Sequence, residues 1–271
     1  LVEKSKETKT SLHIWFVSIY ILLLYKLTEQ DDVVIGLPVA GRNSSMLEKV
    51  VGPFINTILM RVRFSNINSF AELVDIVRTC SLEAYEHSEM PFEYLVNYLK
   101  HEMKIDNSDL YQVMFTFQNY PMPNLKNIEP DLDCEVIYYD IKRAYNDLAF
   151  TIWNEQSDYK CSFEYRLSLW KESTIDRMFG YYIFLAEQVL ENDKKRIMDY
   201  DCMQEEERSL VLRKWNDFRE RTYGNSLIEL FECQVEKTPD NLALILIEQS
   251  LNYRELNIRA NRIAKCLIQM G

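Results

Sequence analysis

The chain has 271 residues, 47% of them hydrophobic and 13% aromatic, enough apolar side chain to build one large globular domain or two small ones. Its formal net charge of −11 argues against nucleic acid or an anionic membrane as a partner, because an acidic surface repels phosphate. Six cysteines, none within four residues of another, offer neither a zinc knuckle nor a redox pair, and point to free thiols in a cytoplasmic protein.

The first ten residues are polar and charged, and Thr10-Ser11 then offers a cap for a helix running to about Leu27. Its apolar stretch, residues 14–25, is too short to span a membrane and reads as a core helix. No basic start or small-residue cleavage site marks a secreted protein. Residues 33–39 form a β-branched run ended by Pro38 and Gly41, the pattern of a buried strand. A second strand at 55–64 alternates Ile58, Met60 and Val62 with Leu59, Arg61 and Arg63, so one face is solvated or paired with acids. Ser69 and Glu72 form a capping-box pattern opening a helix to about Tyr85, and Pro91 opens another. Strands follow at 111–117, around 134–139, at 148–153 and at 161–167, the last two joined as a hairpin through 154–160. A helix at 174–190 carries Ile175, Met178, Phe179, Tyr182, Ile183, Ala186 and Val189 and should cover one face of the sheet. Lys194-Lys195-Arg196 reads as a solvated helix end. After a charged interval at 191–207 and a short helix ending near Trp215, a helix from Ser226, a strand at 242–247 and a final helix complete the chain.

Several segments carry a family signature. Gly52-Pro53-Phe54-Ile55-Asn56-Thr57 followed by Arg61, Ile35-Gly36-Leu37-Pro38-Val39-Ala40-Gly41-Arg42, His87-Ser88-Glu89-Met90-Pro91-Phe92-Glu93 and the run from Tyr111 through Gln118-Asn119 resemble, in order and spacing, elements of condensation domains in nonribosomal peptide synthetases. The resemblance covers roughly residues 1–200. A second begins at Met203 and runs through Trp215-Asn216-Asp217, like the linker that follows such domains. Residues 226–271, with Thr238-Pro239-Asp240 and Leu251-Asn252-Tyr253-Arg254-Glu255-Leu256, resemble the opening of an adenylation domain. The implied fold is α/β: a chloramphenicol-acetyltransferase-like lobe, a mixed sheet with flanking helices, at 1–200, then a linker at 201–225 and an incomplete α/β adenylation N-terminus at 226–271. The chain is accordingly expected to be a segment of a longer synthetase.

The resemblance implies a module that joins carrier-tethered aminoacyl or peptidyl thioesters through peptide bonds, in a tunnel between two lobes of which this chain supplies the second. The implied partners are peptidyl carrier protein domains and the N-terminal condensation lobe. The implied cofactors sit elsewhere: phosphopantetheine on the carrier proteins, and ATP with magnesium in a full adenylation domain. The family's His-His-x-x-x-Asp-Gly motif does not occur here, since His13, His87 and His101 are isolated, so no catalytic residue is assigned and the segment is expected to be inactive alone. Asn56, Thr57, Gln118 and Asn119 are the candidates for lining the substrate tunnel. For Asn119, a polar amide at a strand end could bind a substrate carbonyl or an oxyanion, or simply cap its own loop. His87 reads as structural, lacking a neighbouring carboxylate to orient it. Arg42 and Arg61 read as ion-pair partners for the many acids. The alternative function is a non-catalytic half-domain serving as a platform for an adjoining adenylation domain.

Overall fold

The computed structural model describes residues 1–42, 44–103, 110–119, 143–155, 158–217, 226–246 and 249–271. These divide into two compact units, Leu1–Arg208 and Ser209–Gly271. The strand expected around 134–139 lies outside the described residues.

The first unit is organised around one helix. A short helix, α1 (Val2–Glu7), which no apolar periodicity announces, precedes α2 (Leu12–Thr28). Ser11 caps α2 by accepting from the Ile14 N–H, and Glu29 ends it in the left-handed region at φ 55°. Every residue from Ile14 to Leu24 is buried. A helix that is apolar all round has no face for solvent and is driven to the interior. The Trp15 indole N–H donates to the hydroxyls of Thr8 (3.1 Å) and Thr10 (2.9 Å), pinning the turn from α1.

Five strands, β1 (Asp32–Val39), β2 (Asn56–Arg63), β3 (Val113–Gln118), β4 (Leu148–Glu155) and β5 (Asp158–Tyr165), form a mixed sheet in the order β2-β1-β3-β4-β5. The outer pairs are antiparallel, and β1–β3 and β3–β4 are parallel. Period-two alternation fixes the register. Ile35 opposes Met60, Phe115 opposes Phe150 and Phe150 opposes Phe163, and all point toward α2. On the other face of β1–β2, Arg61 forks onto Asp32, with its Nε 2.8 Å and a terminal nitrogen 2.6 Å from the carboxylate, and Arg63 joins at 3.4 Å. Those bonds hold the Asp32 carboxyl below its ordinary pKa. The hairpin is tighter than its sequence indicates: the ladder continues to Glu155 opposite Asp158, because a polar run does not prevent backbone pairing.

Helices α3 (Phe70–Glu86) and α5 (Glu172–Glu191) cover the inner face with α2. Ser69 caps α3, while the Glu72 carboxylate reaches back to the Asn68 N–H at 2.9 Å. The buried stripe of α5 is Ile175, Met178, Tyr182, Leu185 and Val189. Phe179 and Ile183, expected in that stripe, stand at its edge and are exposed. Phase decides this: a helix presents one narrow arc to its neighbours, and the arc centred on Tyr182 includes Leu185 instead. The Tyr182 hydroxyl donates to the Phe16 carbonyl at 3.2 Å, fastening α5 to α2. Beyond α5, Lys195 lies over the Tyr200 ring and Arg196 pairs with Asp199 at 2.8 Å. Helix α4 (Phe92–Met103) lies near β2.

Helix α6 (Glu205–Ser209) runs across the boundary between the units and leads into a π-helical turn, Leu210–Lys214. The rest of the second unit holds α7 (Leu227–Lys237), a hairpin of β6 (Leu242–Leu246) and β7 (Gln249–Asn252), and α8 (Tyr253–Met270). Ser226 caps α7, and Asn252 with Glu255 forms a reciprocal capping box on α8. None of its described residues is buried.

Candidate functional site

The sheet's parallel centre creates a natural recess. Strands β1 and β3 run the same way, so both chains leave the sheet at one edge, and the first turn of α2 arrives at that edge. A cavity of about 1000 Å³ opens there. Its wall comes from residues 9–14, residues 38–42 at and after the end of β1, Thr116 to Asn119 at and just past the end of β3, and Arg78, Ser81, Leu82 and Tyr85 of α3.

Two features shape the rim. Gly41 has φ +63°, and a Cβ there would stand 1.9 Å from the Phe54 carbonyl oxygen, so only glycine permits the turn. The Arg42 guanidinium then donates to the carbonyl of Leu47, to Val50 at 2.8 Å and to Gly52 at 3.5 Å, and lies 4.5 Å over the Phe54 ring. The ion pair expected for Arg42 is therefore replaced by a clamp on its own loop. Three converging carbonyls present the acceptor geometry that a five-donor fork satisfies.

The four candidate residues separate. Gln118 and Asn119 both line the cavity, Asn119 exposed just past the end of β3. Asn56 is tied to the segment that leads into α4: its amide donates to the carbonyls of Ser88 (3.0 Å) and Met90 (2.7 Å) and accepts from the Phe92 N–H (3.0 Å). It thereby serves the first N–H of α4. Thr57 borders a second hollow of about 470 Å³ with Leu59, Arg61, Cys80, His87 and Met90. His87 closes α3 through its backbone N–H, 3.3 Å from the Ala84 carbonyl, and borders that second hollow.

The residue that sequence reasoning left aside is His13. It lies in the first turn of α2, on the cavity wall, with Phe115, Phe117 and Tyr85 ring centroids 5.7, 6.1 and 6.5 Å away. Burial disfavours the imidazolium and lowers its pKa to about 4, so the ring is neutral at pH 7. The available signal was a single polar ring between Leu12 and an apolar helix interrupted only by Ser18 up to Tyr25.

Charge at the cavity runs opposite to the whole chain. Lys9, Arg42 and Arg78, the last paired with Asp75 at 3.5 Å, border it, and among the described residues no lining residue is an acid, although the net charge is −11. Among the described residues no lining residue is a cysteine, the Ser11 hydroxyl caps α2 and the Ser81 hydroxyl donates to the Met60 sulfur at 3.1 Å. The wall thus offers shape, an imidazole, two amides and cationic edges: groups that position a ligand. Among the described residues, no cluster of His, Cys, Asp or Glu could hold a metal ion, Cys80, Cys161, Cys202, Cys233 and Cys266 are free, and no helix is long and apolar enough to cross a membrane.

The family model for the condensation domain matches residues 1–212. The chain is 35% identical over 273 residues to malpinin synthetase of Mortierella alpina, covering 98% of this chain and 3% of that protein. It is 34% identical over 272 residues to tyrocidine synthase 3 of Brevibacillus parabrevis, covering 100% of this chain and 4% of that one. A crystal structure of a four-domain nonribosomal peptide synthetase bound to AMP and glycine superposes with a TM-score of 0.75 at 17% identity, over all of this chain and 21% of that one. The X-domain from teicoplanin biosynthesis gives 0.65 at 23% identity, over 74% of this chain and 46% of that chain. The chain belongs to the condensation domain family, and its mixed sheet with flanking helices is the fold of that family's solved members. It spans less than a twentieth of the length of the two curated relatives.

Proposed function

We propose that this chain is the second lobe of a condensation domain in a nonribosomal peptide synthetase, at residues 1–200, followed by a linker at 201–225 and the beginning of an adenylation domain at 226–271. The observation that carries the reading is the cavity at the C-terminal ends of β1 and β3, in a chain whose residues 1–212 match the condensation domain model. In this reading the cavity is one wall of the passage where an amine attacks a carrier-bound thioester. The attacking amine loses a proton, the C–N bond forms as the C–S bond breaks, and the thiol leaves on its carrier. The wall described here positions and the facing lobe, with its histidine pair, supplies the proton acceptor. Phosphopantetheine belongs to the carrier proteins and ATP with magnesium to a complete adenylation domain. The exposed apolar side chains of the second unit, among them Ile245, Leu246, Leu267 and Ile268, suit a face that the remainder of such a domain would cover.

Peptide-bond formation in a two-lobe protein carrying this chain tests the reading. The 271-residue chain alone should not turn over aminoacyl carrier proteins, and the two-lobe protein should. Asn119→Ala should slow condensation with carrier-protein binding nearly unchanged, since a group used on the developing oxyanion acts in the transition state. Normal turnover with a destabilised fold would make Asn119 a structural amide, and turnover by the isolated chain would overturn the reading.

A further inference from the structure

The cavity's inner wall carries the His13 imidazole, a ring that offers both a donor and an acceptor. Among the described residues no group hydrogen-bonds the His13 imidazole, whereas three nearby hydroxyls are engaged: Thr10 accepts from Trp15, Ser11 caps α2 and Ser81 bonds Met60. Phe115, Phe117 and Tyr85 surround the ring and limit its movement. A neutral imidazole presents one N–H donor and one nitrogen acceptor. Filling the cavity with hydrocarbon would strip water from both and replace it with nothing, which is unfavourable. A ligand bearing a hydroxyl or carboxamide at that depth would satisfy them. The cationic edge of Lys9, Arg42 and Arg78 disfavours an ammonium group.

We propose that His13 is a specificity-determining residue of this cavity, hydrogen-bonding an uncharged polar group on the side chain of the acyl substrate carried into it. The inference rests on the reading of the cavity as a substrate passage. It concerns which substrates that passage takes, and it makes His13 a selecting group with no part in proton transfer.

The test uses the two-lobe protein carrying this chain, in which the passage is closed, with ¹⁵N-labelled histidine and methyl-labelled Ile and Leu. The probes are the aminopantetheine amides of N-acetylasparagine and N-acetylleucine, which resist hydrolysis and differ in polarity at nearly constant shape. Both should shift methyl signals of Leu12, Ile14, Ile55 and Leu82, and only the asparagine probe should shift the His13 ring nitrogens. In His13→Phe the asparagine-over-leucine affinity ratio should fall about tenfold, the size of one net hydrogen bond. Methyl shifts without a ring-nitrogen response, or an unchanged ratio in His13→Phe, would overturn the inference while leaving the passage intact. No methyl shift with either probe would overturn the passage reading and this inference with it. Should His13→Phe fail to fold, the ring-nitrogen response of the unsubstituted chain decides.

Discussion

Helix α2 and helix α8 are nearly equal in length, at 17 and 18 residues, yet they end in opposite environments. Eleven consecutive residues of α2 are buried, whereas none of α8 is. Both are well capped, α8 the better of the two, with a reciprocal box on Asn252 and Glu255. Capping and amphipathicity therefore make a helix without making a core. Burial stabilises a unit only when another surface removes its apolar area from water. In the first unit α3, α5 and the sheet supply that surface. In the second, α7 and the β6–β7 hairpin leave Ile263, Leu267 and Ile268 exposed.

Cavity-forming substitutions should show the largest difference between the two. Phe150 is fully buried, stacked on Phe163 at 4.3 Å and edge-on to Tyr182 at 4.6 Å. Phe150→Ala should cost about 3 to 5 kcal/mol in urea unfolding, and Leu267→Ala, at a site 62% exposed, about 0.5 kcal/mol or less. Equal costs would mean that the second unit has a core of its own. Hydrogen exchange sharpens the same contrast. Amides of α7, α8 and the β6–β7 hairpin should open several kcal/mol below those of β3, on the order of local rather than global unfolding. Equal protection in β3 and in β6 would break the comparison.

Acid should act on the first unit through His13. Its pKa is lowered from 6.5 to about 4, so between those values the unfolded chain holds a proton that the folded chain does not. Stability therefore falls as pH drops from about 6.5 to 4 and is restored as pH rises. The titratable or charged groups that share the cavity with the ring, among the described residues, are Tyr85 and Arg78 of α3, Arg42 after β1 and Lys9 before α2. None of them is a carboxylate to rescue the imidazolium. The expected loss is about 2 kcal/mol after allowance for partial exposure, and it should vanish in His13→Phe when unfolding midpoints are compared at pH 7 and pH 4.5. Persistence of the full loss in that variant would assign it to other groups.

The smallest effect concerns an imperfection in the well-packed unit. The Tyr20 hydroxyl is buried among Phe115, Phe150 and Phe163 and has no hydrogen-bond partner among the described residues. Removing an unpaired buried hydroxyl relieves its desolvation, so Tyr20→Phe should be neutral or stabilising by about 1 kcal/mol, raising the melting temperature by a few degrees at most. Destabilisation would reveal a partner for the hydroxyl in solution.

The chain's local order was legible in its sequence wherever one physical signal acted alone. Ser11, Ser69 and Ser226 marked helix starts because a side-chain oxygen beside free N–H groups needs no distant partner. The alternation of Ile58, Met60 and Val62 marked a strand and its inner face, and the segments around Gly41, Pro53 and Gln118 marked the family. What the tertiary structure alone decided were outcomes of competition in space. Asn56 stands within the signature, yet its amide meets the carbonyls of Ser88 and Met90, 32 and 34 residues away, and serves a helix start instead of the cavity. Arg42 found three loop carbonyls where the composition suggested an acid. His13 gained its place because β1 and β3 are parallel and end at the same edge as the first turn of α2. Caps and periodicity depend on neighbours a few residues apart, which a sequence displays. A cavity depends on which strand ends the fold brings together, and that is fixed only when the sheet has chosen its order.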